Sequence, residues 1–342
     1  MPKMRYIAMK TDDIRTNLAT EQYLMNSGKL EPPFMLFYIE KPCIIVGRNQ
    51  NTLEEINQKY CQEHNITITR RLSGGGAMYQ DLGNMCFSFV VQADKQKFGD
   101  FKSLVKPVVD ALHEMGATEA EVTGRNDIVI DGKKFSGNAM YSRNGKTFSH
   151  GTLMFDVNTD SVADALNVPK DKIESKGIKS VRSRVTNIKP YLKPEYQELD
   201  TYQFRDELIK KIWGVATIEE AKAYEYELTA EDQAGIAEIE QKLYKNWDWV
   251  YGKSPEFSVQ KRKHFDGGTI DARFQVEEGK IKELKIYGDF FGPGDVTELE
   301  DALRGQEYTP DKMIAVLTKL DLGKYFVGIA QEDVIDLLAY QH

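Results

Sequence analysis

Cysteine is scarce in this chain of 342 residues: Cys43, Cys61 and Cys86 are scattered and odd in number. They form no CxxC pair and no Cys/His metal spacing, and the five histidines stand far apart. A disulfide scaffold and a zinc centre are therefore not expected, and reduced thiols in a cytoplasmic protein are the simplest reading. No run of about 18 apolar residues occurs, so no membrane span is expected. The start, MPKMRYIAMKTDD, lacks the long apolar region of a secretory signal. Positive charge is outnumbered: 45 Lys and Arg against 53 Asp and Glu give a net charge of −8 and a pI near 5.4. That balance argues against nucleic acid as the main partner, because phosphate binding needs a dominant basic surface. Also missing are a P-loop, a GxSxG elbow and an HExxH helix.

What is present suits a globular protein, with 41% hydrophobic and 29% charged residues and no biased tract. A chain this long can bury its core without staples, as one large domain or two. Met4–Met9, Phe34–Glu40, Cys43–Val46, Ile66–Thr69 and Met85–Gln92 read as strands. Asp12 or Asp13 can cap a helix in which Ile14, Leu18 and Met25 share a face. Helices are expected at Glu54–Glu63, at Phe101–Met115 with Pro107 a threat to continuity, at Thr201–Trp213 and at Thr229–Lys245. Between them the middle of the chain is strand-rich, with Asp131-Gly132 as a hairpin turn. Lys170–Lys189 is basic and short of apolar pattern, so it reads as a long loop. Past residue 248 the pattern changes to three antiparallel strands, Phe257–Lys263, Thr269–Val276 and Ile281–Tyr287. Helices follow at Thr297–Leu303, Asp311–Leu320 and Glu332–Ala339, the first with a Thr297/Glu300 capping box. The expected division is residues 1–248 and residues 249–342.

Four stretches carry chemical interest. RRLSGGGAMYQDLGN, Arg70 to Asn84, sets three successive glycines between two strands, where backbone must approach a partner closely and aim N–H groups at oxygens. Arg70 and Arg71 beside it suit anions. In GRNDIVIDGKKFSGNAMY, Lys133 and Lys134 point to opposite faces of one strand, so only one can face a site, and periodicity does not say which. His150-Gly151-Thr152 supplies a histidine suited to a wall or hydrogen-bonding role. Lys176, Lys179, Arg182 and Arg184 make a dense cationic stretch suited to closing on polyphosphate or meeting an acidic partner.

These stretches occur together and in order, and with them the sequence resembles the lipoate–protein ligase A family. The matching segments are RRLSGGGAMYQDLGN, GRNDIVI, KKFSGNA, HGTLMFDVN and KGIKSVRSRVTNI, and YGKSPEF opens what looks like the family's accessory domain. The resemblance implies an α/β fold: a mixed-sheet catalytic domain of the biotin/lipoate ligase type with a small C-terminal α+β domain. It implies ATP, Mg²⁺ and lipoate as cofactors and substrate, and lipoyl domains of 2-oxoacid dehydrogenase complexes and the glycine-cleavage H protein as partners. Arg71, Ser73, Gly74, Gly75, Gly76, Ala77, Met78, Tyr79 and Asn84 are implied to hold ATP and then the adenylate. Asn126 and Asp127 are implied near the nucleotide, with Asp127 on magnesium. Lys134 becomes the catalytic lysine in preference to Lys133. Gly137, Ala139, His150, Gly151 and Thr152 complete the implied binding site. Lys179, Ser180, Val181 and Arg182 belong to the implied adenylate-binding loop, Gly177 to Asn187. Leu72 and the strand from Met85 to Phe89 are candidates for an apolar acyl pocket. The rival within the same fold is an octanoyltransferase or lipoyl amidotransferase, which works through a cysteine without ATP.

Overall fold

The computed structural model describes residues 4–93, 98–124, 126–166, 184–251, 259–277 and 279–339. Most of the expected basic loop, including Lys179, Ser180, Val181 and Arg182, lies outside these residues.

Strands β1 (Arg5–Ala8), β2 (Phe34–Tyr38), β3 (Cys43–Val46), β4 (Thr67–Arg70), β5 (Met78–Gln80), β6 (Asn84–Gln92), β7 (Glu121–Thr123), β8 (Asp127–Ile130), β9 (Lys133–Arg143) and β10 (Lys146–Met154) build the larger part. Seven form one sheet in the order β1-β2-β6-β10-β9-β8-β7, parallel only between β1 and β2. A second sheet, β4-β3-β5, pairs β3 parallel to β4 and antiparallel to β5. The long apolar runs follow from burial on both faces of the large sheet. Met35, Phe37, Met85 and Phe87 enter one core; Phe34, Leu36, Tyr38, Cys86 and Val90 enter the other.

Helix α1 (Ile14–Ser27) starts at Asp13, whose carboxylate accepts from the Arg15 N–H, and stops at Gly28, φ +70°. Helix α2 (Phe101–Glu114) runs through Pro107 unbroken. Its buried stripe of Val105, Val108, Val109 and Leu112 outweighs the lost backbone hydrogen bond. With α3 (Thr159–Ala165), α4 (Thr201–Trp213) and α5 (Ala230–Ile239), the layers are complete. Helices α2 and α4 cover the first core, and α1, α5 and the second sheet enclose the other.

Three expectations need correction. Glu54–Glu63 is two short helices, Thr52–Glu55 and Gln58–Glu63, separated at Ile56-Asn57, where the Asn57 side chain caps the second. Thr229–Lys245 is α-helical only to Ile239 and ends in a π-helical turn, Glu240–Tyr244. The Thr297/Glu300 capping box does not form. Glu300 is drawn into the interior, where it accepts from the Ile286 N–H and the Lys285 ammonium, both at 2.9 Å; Asp295 accepts from the Thr297 N–H instead.

The C-terminal part is the antiparallel sheet β11 (Val259–Phe265), β12 (Gly268–Glu277) and β13 (Lys280–Gly288), backed by α6 (Thr297–Leu303), α7 (Pro310–Leu317) and α8 (Gln331–Ala339). It has its own hydrophobic core. It docks through an Arg48–Asp295 ion pair of 2.6 Å and a Gly288 N–H to Asn49 carbonyl bond of 2.6 Å.

Glu40, just beyond β2, is fully buried, and desolvation pushes its carboxyl up to about 8 against weaker help from Asn17 and Cys86. Because the folded value exceeds the ordinary one of 4.5, its contribution is fully present below pH ~4.5 and lost as pH rises through about 8. Glu40→Gln is therefore expected to raise the melting temperature over wild type at pH 8, with the gap closing toward pH 4.5. Parallel thermal melts across that range check this.

Candidate active site

The glycine-rich turn between β4 and β5 is held from inside by Arg71. This buried guanidinium donates to the carbonyls of Ile45 (3.1 Å), Gly74 (2.8 Å) and Gly76 (2.8 Å) and to the Ser73 hydroxyl (3.1 Å). Desolvation lowers it to about 10, so it remains a cation at neutral pH. Arg70 has a different task. Its donors go to the carbonyls of Gly47, Arg48, Gln50, Trp249 and Val250 and to the Thr52 hydroxyl. The expectation that both arginines serve an anion is thus corrected for Arg70, which clips the chain beyond α5 to the second sheet.

The glycines of the turn answer to neighbours in the protein as well as to any ligand. A Cβ on Gly74 would lie 2.4 Å from the Phe290 carbonyl oxygen, and Gly75, at φ +90°, sits under the Phe291 ring. The Gly75 N–H reaches the Phe290 carbonyl at 3.4 Å. The C-terminal domain therefore rests directly on this turn.

Ser73 joins the turn to the large sheet. Its hydroxyl lies 2.7 Å from His150 Nε2, and His150 Nδ1 lies 3.1 Å from both Glu21 carboxylate oxygens. Arg71 Nε already donates to the hydroxyl oxygen. In a neutral imidazole the hydroxyl proton then goes to Nε2, and Nδ1–H donates to Glu21. His150 thus holds wall and loop together, the hydrogen-bonding role expected of it. Glu21, on α1, has no local sequence mark that would have found it.

Lys134 and Asp127 form an ion pair of 2.7 Å, both half-exposed. Lys133 is exposed at the start of β9. The Lys134 backbone is pinned on both sides: its N–H donates to the Arg184 carbonyl (2.8 Å) and its carbonyl accepts from the Thr186 N–H (2.9 Å). Asn126 and Asn138 bond reciprocally, each side-chain amide donating to the other's carbonyl at 2.6 and 3.1 Å.

These groups surround a cavity of about 300 Å³. Of the expected site residues, Arg71, Gly75, Gly76, Ala77, Met78, Tyr79, Asn84, Asn126, Lys134, Gly137, Ala139 and Thr152 line it. Val185, from the expected Gly177 to Asn187 loop, lines it too, as do Glu55, Asn138, Met154, Val162, Leu166 and Phe291, which were not anticipated. His150 and Gly151 instead border an adjoining gap of about 20 Å³ with Leu18, Tyr38, Ile45, Gln80 and Cys86. Leu72, Met85, Phe87 and Phe89 are not at the gap. The strand alternates, so Cys86 faces it while Met85 and Phe87 enter the opposite core. Ser73, Gly74 and Asp127 support the cavity's edge.

The profile of the Lipoyl protein ligase A/B catalytic domain matches residues 13–213, and that of the Bacterial lipoate protein ligase C-terminus matches residues 254–338. The chain belongs to the lipoate–protein ligase family. It is 48% identical to the lipoate-protein ligase LplJ of Bacillus subtilis over 96% of this chain and 97% of that one. Lipoate–protein ligase 1 of Staphylococcus aureus is 43% identical over the same shares. Among solved structures, P. falciparum LipL1 in complex with lipoate shares the fold at a TM-score of 0.76 and 23% identity, covering 93% of this ligase and 95% of that chain. The bi-partite ligase of Thermoplasma acidophilum, described with its E2 lipoyl domain, gives 0.61 and 26%, covering 75% and 99%.

The cysteine-dependent rival finds no support in the site. All three thiols are buried, and desolvation raises each above its usual range, Cys43 and Cys86 strongly. Arg70→Ala is expected to lower the unfolding free energy by about 3 kcal/mol or more, since several buried carbonyls lose their donor together. Urea denaturation checks this, and Arg70→Lys should restore little of the loss because one ammonium does not span the same acceptors.

Proposed function

We propose that this ligase activates lipoate with ATP and passes the lipoyl group to a lysine of a lipoyl-carrier domain. One observation carries the reading: a bare backbone turn, the buried Arg71 cation and the Lys134 ammonium meet at a single cavity. In the first step the lipoate carboxylate attacks the α-phosphorus of ATP and pyrophosphate leaves. Charge grows on phosphate oxygens, so the reaction needs fixed cations and N–H donors more than a covalent side chain. Arg71, Lys134 and the backbone from Gly74 to Tyr79 take those roles, with Asn84, Asn126, Ala139 and Thr152 bounding the nucleotide. The acyl arm lies toward the gap between Leu18, Tyr38, Ile45, Met78 and Cys86, which adjoins the cavity.

Magnesium fits this site only as an ion carried by the nucleotide. Asp127 offers one half-exposed carboxylate at the edge and Glu55 another on the wall, and among the described residues no group of three His, Cys, Asp or Glu side chains could hold a metal. Bound there, the ion would neutralise phosphate charge.

In the second step the carrier amine attacks the anhydride carbonyl, the bond to AMP breaks, and the amine proton passes to the leaving phosphate. Lys134 steadies the developing oxyanion. The anhydride hydrolyses in water, so cover is needed; the Gly177 to Asn187 segment, with Lys179, Ser180, Val181 and Arg182, is the proposed cover. Residues 1–248 act as the catalytic unit and residues 249–342 as the accessory unit. The carriers are lipoyl domains of 2-oxoacid dehydrogenase complexes and the glycine-cleavage H protein, met in the cytoplasm. No helix among the described residues is long and apolar enough to cross a membrane.

Mass spectrometry of a lipoyl domain incubated with the ligase, lipoate and MgATP tests the reading. The lipoyl mass is expected with wild type, together with pyrophosphate, and is expected to vanish with Lys134→Ala. Labelling by that variant at the wild-type level overturns the role of Lys134; transfer without pyrophosphate overturns the ATP-dependent class.

A further inference from the structure

We infer that Gly137 is a positioning residue for Lys134, acting through the space it leaves rather than through contact with the nucleotide. This rests on the proposed role of Lys134. Glycine inside a strand weakens it, and such a position asks for a reason. Backbone conformation is not the reason: Gly137 lies outside the left-handed region that favours glycine. Space is. A Cβ at residue 137 would stand 2.9 Å from Lys134 Nζ and 3.1 Å from Cε, and among the described residues other than its two chain neighbours it would meet no other heavy atom within 4 Å.

The two residues share a face because of a bulge. In a regular strand, positions three apart point to opposite sides. Here Asp127 pairs with Gly137 and Ile128 with Ser136, but Val129 pairs with Lys134, and the register shifts by one. The extra residue, Phe135, is fully buried in the core. Lys134, Gly137 and Asp127 therefore lie on one side, and the lysine chain folds back over bare backbone to reach Asp127 at 2.7 Å.

The strand itself has little freedom to adjust. Lys134 is bonded through both its N–H and its carbonyl to the Arg184–Thr186 segment, and the Gly137 N–H donates to the Thr152 hydroxyl at 3.2 Å. An added methyl group would thus displace the flexible end of Lys134 and leave the fold in place. Misplacing a reacting group by about 1 Å can cost on the order of a hundredfold in rate.

The test is a double-mutant cycle on the full chain with Gly137→Ala, Lys134→Ala and the combination, read by single-turnover lipoyl-adenylate formation and melting temperature. Calorimetric MgATP affinity supplies the same cycle where residual rates are too slow. Gly137→Ala is expected to keep its melting temperature while adenylation falls between about tenfold and a hundredfold. Added to Lys134→Ala, it is expected to change nothing further. A wild-type rate in Gly137→Ala overturns the inference. So does an equal loss with and without Lys134, which would mean direct ligand contact, and so does unfolding of the double variant. A wild-type rate in Lys134→Ala instead sinks the reading of Lys134, so the two failures are distinguishable.

Discussion

The buried Arg71 guanidinium is the constraint on which the site depends. Its bonds run to neutral oxygens: three carbonyls and a hydroxyl. Such partners satisfy its hydrogens without cancelling its charge, so a fixed positive centre stays at the cavity wall. The same bonds turn the carbonyls of Gly74 and Gly76 inward. Through Ser73, His150 and Glu21 the restraint reaches the large sheet and α1. One cation thereby ties the turn to both sheets, and the cavity forms where they meet.

Glycine has three separate uses around this centre. Gly75 adopts a backbone conformation closed to most side chains. Gly74 makes room for a carbonyl of the C-terminal domain, and Gly47 does the same for the carbonyl of Gly75, which would sit 1.9 Å from a Cβ there. Gly137 makes room for a lysine. Only the first is a matter of φ and ψ; Gly74 and Gly47 serve close approaches between segments distant in sequence, and Gly137 one within its own strand. The docking of the C-terminal domain on the turn also means that its placement and the turn's shape are not independent.

Much of the architecture could be read from the chain because it is local. Alternation and apolar runs located β2, β3, β6 and β8, and Asp13, one of two candidate caps, marks the start of α1 through a preference that acts within a few residues. Errors fell where a side chain had a better distant partner. Glu300 forsakes its cap for Ile286 and Lys285, and Arg70 forsakes any anion for carbonyls that converge from two remote segments. The alternation of β6 could have assigned Cys86 rather than Met85 to the gap, but only once it was known which core lay on which side.

From the chain alone came most of the strands and the longer helices, the division after residue 248 as an expectation, and the cluster of glycines, arginines and lysines that carries the family resemblance. Those are properties of short windows and of their order. It took the tertiary structure to show that Arg70 is spent on carbonyls of two remote segments, that Glu21 completes the histidine relay, that Phe291 arrives from the C-terminal domain, and that a bulge at Phe135 turns Lys134 toward Asp127. Each depends on which distant backbone comes within about 3 Å, the range over which hydrogen bonds and steric contact act.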